Sequence, residues 1–139
     1  MAQAYLKDRS LDRVLAGHPW VYVADIFKIE KPPADGEEIQ VRTSKGFYVG
    51  TGFYNSKSRI PIRILSRSKD KLDETFFRKR LLSAQKYRDE MCQKDGSAHA
   101  QSVCRLIWSE ADFLPGLIVD RYEDAIVISE RLAKDARFT

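Results

Sequence analysis

The chain has 139 residues, 43% of them hydrophobic, with 24 Lys+Arg against 20 Asp+Glu and a formal net charge of +4. That length allows one ordinary domain or two small ones and excludes an eight-stranded α/β barrel, and the apolar content excludes a disordered chain. No apolar run approaches a membrane span, Met1–Arg9 carries no apolar signal segment, and two cysteines, Cys92 and Cys104, make no disulfide framework, so a reduced, cytoplasmic setting is expected.

The charge is uneven. Residues 1–67 hold 11 Lys+Arg and 7 Asp+Glu, whereas residues 68–139 hold 13 of each. From Ile39 to Lys69 there is no acidic residue, yet Arg42, Lys45, Lys57, Arg59, Arg63, Arg67 and Lys69 all occur. Such a run is either a solvated face or a surface for an anionic partner.

In chain order, residues 9–16 read as a short helix with Leu11, Val14 and Leu15 on one face, stopped by Gly17. Trp20–Phe27 is aromatic and β-branched and reads as a strand; residues 32–36, with two prolines and Gly36, form a loop. Three strands follow, over Glu38–Thr43, Phe47–Tyr54 and Arg59–Leu65. Gly50 and Gly52 inside the second predict a bulge, a barrel corner or a close backbone approach. Pro61 places the third at an edge or beside a bulge. Many short strands with Gly-rich turns predict a small closed or half-closed barrel.

A polar stretch over Ser66–Asp73 marks a domain boundary. Residues 74–94 read as an amphipathic helix, capped by Asp73, with Phe76, Phe77, Leu81, Ala84, Tyr87 and Met91 in one stripe. Strands are predicted over Cys104–Ser109, Leu117–Arg121 and Ala125–Glu130, and the tail from Arg131 has no apolar period.

Catalytic chemistry finds little footing. His18 and His99 sit in no recognisable motif, Cys92 and Cys104 read as core thiols, and no metal-ligand spacing is present. Gly50–Asn55 lacks the third glycine and the following helix of a dinucleotide loop. Glu110 and Asp112 read as turn carboxylates. Nucleic-acid binding finds more. Arg59 and Arg63, four apart on an extended strand, would lie about 13 Å apart and follow a phosphate backbone, with Arg67 continuing the row. Lys45 and Lys57 occupy turns of the same barrel. Trp20, Tyr22, Tyr48 and Tyr54 either stack on unpaired bases or pack the barrel.

Three stretches carry a more specific resemblance: Leu15–Tyr22 (LAGHPWVY), Gly50–Leu65 (GTGFYNSKSRIPIRIL) and Glu110–Tyr122 (EADFLPGLIVDRY). In that order and spacing they resemble the N-terminal part of the S-adenosylmethionine-dependent large-subunit ribosomal RNA methyltransferase I family. The resemblance implies an α+β architecture. A PUA-like β pseudobarrel that binds RNA spans residues 1–67, and a partial strand–helix–strand central domain spans residues 70–139. It further implies that the family's Rossmann-like domain, with its S-adenosylmethionine loop and catalytic cysteine for cytosine C5, comes later than this chain extends. Neither Cys92 nor Cys104 matches that cysteine, so the chain alone is expected to be inactive and to hold no cofactor.

By position in PUA domains, the resemblance implies RNA contacts at Arg13, Gly17, His18 and Trp20, extended by Lys57, Arg59 and Arg63, and the charge pattern adds Lys45. The alternative for His18–Trp20 is a structural corner with Trp20 plugging the barrel end. The partner expected is ribosomal RNA. The rival readings are a protein–protein or homodimerisation module, and one subunit of a split methyltransferase whose catalytic chain is separate.

Overall fold

The computed structural model describes residues 1–95 and 102–130. His99 and the tail beyond Glu130 lie outside them. The described residues fall into two compact units, Met1–Asp70 and the stretch from Lys71 onward.

The first unit is a six-stranded mixed sheet. Its strands are β1 (Ala2–Leu6), β2 (Trp20–Val21), β3 (Ile26–Glu30), β4 (Glu38–Arg42), β5 (Tyr48–Tyr54) and β6 (Ile62–Ser66), with the short helix α1 (Leu11–Leu15) between β1 and β2. Their order across the sheet is β2-β6-β5-β4-β1-β3, with β1 parallel to β4 and every other pair antiparallel. Alternation along β1 and β4 sends Ala2, Ala4, Leu6, Ile39 and Val41 inward, where Val14, Val21, Val49, Ile62 and Ile64 meet them. Leu6, Ile39 and Ile62 are fully buried, each worth about 1.5–3 kcal/mol.

Gly52 permits the tightest approach in this sheet. A Cβ there would lie 2.0 Å from the Arg63 carbonyl oxygen, beside a bulge between Thr51 and Gly52. The close approach expected of the β5 glycines is therefore present. The extra residue of that bulge is Leu65 on β6, four residues beyond Pro61, and β6 is an inner strand between β2 and β5.

Four sequence expectations change here. β1 corresponds to no element expected from the sequence. Of the helical face Leu11, Val14 and Leu15, only Val14 is fully buried, because α1 is a single turn, and Leu15 is exposed. The strand over Trp20–Phe27 is broken after Val21 by a 3-10 turn over Val23–Asp25, because the Asp25 carboxylate accepts the Tyr22 N–H at 2.9 Å and folds the chain back on itself. The third barrel strand begins at Ile62 instead of Arg59. Asn55 N–H donates to the Pro61 carbonyl at 2.8 Å and Ile60 N–H to Ser58 Oγ at 3.1 Å, so residues 55–61 are a hydrogen-bonded turn.

The second unit has the helix α2 (Glu74–Asp95) followed by an antiparallel meander of β7 (Val103–Trp108), β8 (Leu117–Tyr122) and β9 (Ala125–Glu130). Asp73 caps α2 as expected, its carboxylate accepting the Phe76 N–H at 3.0 Å. Its core is small: Ala84, Ile107, Leu114 and Leu117, with Phe77, Leu106 and Val119 packed against them. The predicted apolar stripe of α2 is fully buried only at Ala84, with Phe76 and Phe77 half-buried, whereas Leu81, Tyr87 and Met91 are exposed although the helix packs on β7 and the turn after it. Neither unit contains a helix long and apolar enough to cross a membrane, among the described residues.

Candidate nucleic-acid interface

The segment from Gly17 to Val23 forms the outer border of the first sheet and runs antiparallel to residues 59–67. Val23 N–H donates to the Arg59 carbonyl at 3.3 Å, Val21 faces Ile62, Trp20 faces Arg63, and Ile64 N–H donates to the Pro19 carbonyl at 2.8 Å. At the far end Arg67 donates to the His18 carbonyl at 3.0 Å. Desolvation lowers the pKa of that guanidinium from its ordinary value, and it stays cationic.

Val21 points into the core, so its alternating neighbours His18, Trp20 and Tyr22 share the other face. Their rings form an edge-to-face row, with centroids 5.5 Å apart for His18 and Trp20 and 6.4 Å for Trp20 and Tyr22. Trp20 and Tyr22 are half-buried, so the row is both packed and accessible.

Arg13 organises this row from α1. It donates to His18 Nδ1 at 2.9 Å, to the Trp20 carbonyl at 3.0 Å and to the Asp25 carboxylate at 2.5 Å, with its guanidinium 4.9 Å from the Tyr22 ring centre. Trp20 N–H also donates to His18 Nδ1, at 3.2 Å. Two donors converge on one ring nitrogen, so Nδ1 is the acceptor and the imidazole proton sits on Nε2. Gly17, at φ +110°, turns the chain from α1 into this segment, a conformation L side chains rarely adopt. Arg13 and Gly17 thus shape the border, while His18 and Trp20 lie on it.

The remaining predicted residues are distributed unequally. Arg63 is half-buried between Trp20 and Phe53, its strand neighbours. Arg59 is exposed in the turn before β6, so the continuous row expected of Arg59, Arg63 and Arg67 is interrupted by that turn. Lys57, also exposed, stands beside Asp35. The Asp35 carboxyl is held below its usual range by the Ser56 N–H at 2.6 Å, then by the Ser56 hydroxyl, with Lys57 adding a weaker pull. Lys45 is exposed in the turn at the opposite end of β5, about 20 Å away along seven residues of strand. Arg42 is committed to its own turn, donating to the Gly46 carbonyl at 2.9 Å.

Sequence reasoning missed Asp25. It lies 12 residues from Arg13, and only the 3-10 turn brings them together; nothing in a local window signals that pair. The Gly50–Gly52 pair offers no cofactor cradle, since the β6 backbone fills the space beside it. The Gly50–Gly52 stretch therefore does not fit S-adenosylmethionine.

A family model described as a PUA-like domain matches residues 4–67. "Ribosomal RNA large subunit methyltransferase I" of Vibrio parahaemolyticus is 36% identical over 126 residues, covering 91% of this chain and 31% of that protein. The protein of the same name from Photobacterium profundum is 37% identical over 123 residues, covering 87% and 29%. The chain therefore spans about three tenths of the length of these relatives. Among solved structures, a putative SAM-dependent methyltransferase from Streptococcus mutans superposes with a TM-score of 0.74 at 14% identity, over 96% of this chain and 34% of that one. That likeness shows a shared fold.

Proposed function

The chain belongs to the ribosomal RNA large subunit methyltransferase I family, through its PUA-like domain and the segment after it, and we propose that it is the RNA-binding portion of such an enzyme. In this reading residues 1–67 grip ribosomal RNA, and residues 70–139 are part of a central domain. The methyl transfer, from S-adenosylmethionine to cytosine C5, is performed by residues outside this chain or by a separate catalytic chain. The setting is ribosomal RNA processing in the cytoplasm.

The observation that carries the proposal is the aromatic border His18–Trp20–Tyr22 set against Arg59, Arg63 and Arg67. Guanidinium groups match phosphate geometry and stack on bases, and exposed rings accept unpaired bases. Arg13 and Gly17 hold the border in shape; His18 and Trp20 meet bases; Lys57, Arg59 and Arg63 meet phosphates. Lys45, at the other end of β5, engages only RNA long enough to run the sheet's length.

About four phosphate contacts give a log–log salt slope near −3 for single-stranded RNA. Filter binding of a ribosomal RNA fragment to the double variant Arg59→Ala/Arg63→Ala should show weaker binding and a slope flatter by about one to two. Unchanged affinity and slope would sink the assignment of this face.

One observation favours a second reading, self-association: β9 exposes Ile126, Val127 and Ile128. Sedimentation mass at several concentrations separates a homodimer from a monomeric RNA binder.

A further inference from the structure

The border on the first unit contains one side chain whose hydrogen-bonding sense is fixed by its neighbours. His18 is half-buried and stands first in the aromatic row. Its Nδ1 receives Arg13 at 2.9 Å and the Trp20 N–H at 3.2 Å. A guanidinium only donates, and so does a backbone N–H, so a proton on Nδ1 would face two others. The ring's proton is thereby confined to Nε2. Among the described residues Nε2 meets no acceptor.

The arrangement is anchored behind the ring. Arg13 is held by the Asp25 carboxylate at 2.5 Å and donates to the Trp20 carbonyl at 3.0 Å, and Asp25 accepts the Tyr22 N–H at 2.9 Å. Helix α1, strand β2 and the 3-10 turn after it each supply a partner, so Arg13 cannot leave His18 without loosening the other contacts. Arg67 adds charge at the same residue. It donates to the His18 carbonyl at 3.0 Å, and no carboxylate among the described residues pairs with it. His18 thus joins a fixed N–H donor to a cation whose charge is not compensated by those residues.

We propose that Arg13 makes His18 a donor-only reader of the RNA. In this account Nε2–H takes an acceptor atom, either a base carbonyl or ring nitrogen or a phosphate oxygen, and turns away exocyclic amino groups. The proposal rests on the border reading above. A histidine free to exchange tautomers accepts from an amino group as readily as it donates to a carbonyl. With Nδ1 occupied, only donation is left, and an N–H aimed at an amino group finds another N–H. The nucleotide at this point is chosen by the acceptor it offers. Arg13 is a positioning residue, acting on the RNA through the imidazole.

The test uses the full chain with ¹⁵N-labelled imidazoles and a single-stranded ribosomal RNA oligonucleotide. The chain has two histidines, so His99→Gln identifies the His18 signals. In the free chain Nε2 should carry the proton and Nδ1 none, and Arg13→Met should give mixed tautomers. His18→Phe should weaken binding about 2- to 12-fold for a base acceptor and about 12- to 140-fold for a phosphate oxygen, the values of a neutral and a charge-assisted hydrogen bond. His18→Gln, which keeps a donor, should retain most of the affinity. Oligonucleotides with single abasic sites, and others with single methylphosphonate linkages, tell the two acceptors apart: the His18→Phe loss should vanish at one position of one series. A proton on Nδ1, a folded Arg13→Met variant with the original tautomer, or a His18→Phe loss that no position abolishes would overturn the proposal. If Arg13→Met does not fold, the tautomer of the unmutated chain and the His18 variants decide. His18→Phe binding normally while Arg59→Ala/Arg63→Ala binds weakly would overturn it and leave the border reading standing. Normal binding by both would overturn both.

Discussion

In the first unit Leu6, Val14, Val21, Ile39, Val41 and Ile62 are completely shielded, whereas β9 of the second presents Ile126, Val127 and Ile128 with about half of each exposed. The first unit closes a core between strands far apart in sequence, and its candidate interface is a border laid on that core. The second has a four-residue core, with Arg88–Asp112 tying α2 to the turn after β7 and Arg105–Asp120 joining β7 to β8. The contrast teaches where each unit's rigidity comes from: apolar burial under the β2–β6 border, and ion pairs around α2 and β7.

The largest effect should come from Gly52→Ala. Its Cβ would collide with the Arg63 carbonyl oxygen, so the β5–β6 pairing must open at a cost of about 5 kcal/mol, enough to unfold a small unit. The chain has two tryptophans, Trp20 in the first unit and Trp108 in the second. Fluorotryptophan resonances therefore report the two units separately, and only the Trp20 signal should collapse.

Next, Ile62→Ala should lower the stability of the first unit by about 3–4 kcal/mol, as a fully buried isoleucine does. The matching change in the second, Ile128→Ala, should cost less than about 1 kcal/mol, since more than half of that side chain is already in solvent. Urea unfolding checks both. Equal costs would erase the contrast, because they would mean that β9 is covered in solution.

The smallest effect is electrostatic and present in both units. Asp35 is held below its ordinary value by Ser56 donors, and Asp120 by its hydrogen bond to Arg105. A depressed carboxyl stabilises the fold fully at neutral pH and loses that stabilisation as pH falls through the ordinary carboxyl range, from about 4 downward. Both groups are solvent-exposed, so the slope of melting temperature against pH should be shallow. Asp120→Asn should flatten it for the second unit alone.

Much of the fold was legible because it is locally coded. β4, β5, β6 and α2 follow from period and capping, and the β5 glycines announced the close approach. β1 was hidden because Ala2 and Ala4 are small and weak strand formers, and its parallel partner β4 lies more than thirty residues away. The break after Val21 was hidden because it depends on a side chain, Asp25, whose role appears only once Arg13 is beside it. Trp108 and Phe113 look ordinary in sequence. They flank a turn with positive φ at Ser109 and Phe113, which no local residue preference foretells.

The proposed function puts RNA along the β2–β6 border. The most direct measurement is titration of the ¹⁵N-labelled full chain with a ribosomal RNA fragment, followed through backbone amide shifts. The predicted result is saturable perturbation within residues 17–23 and 59–67, with residues 44–46 at the far end of β5 moving only for longer fragments. Perturbation centred on β3, or on residues 44–46 with the border silent, would contradict it.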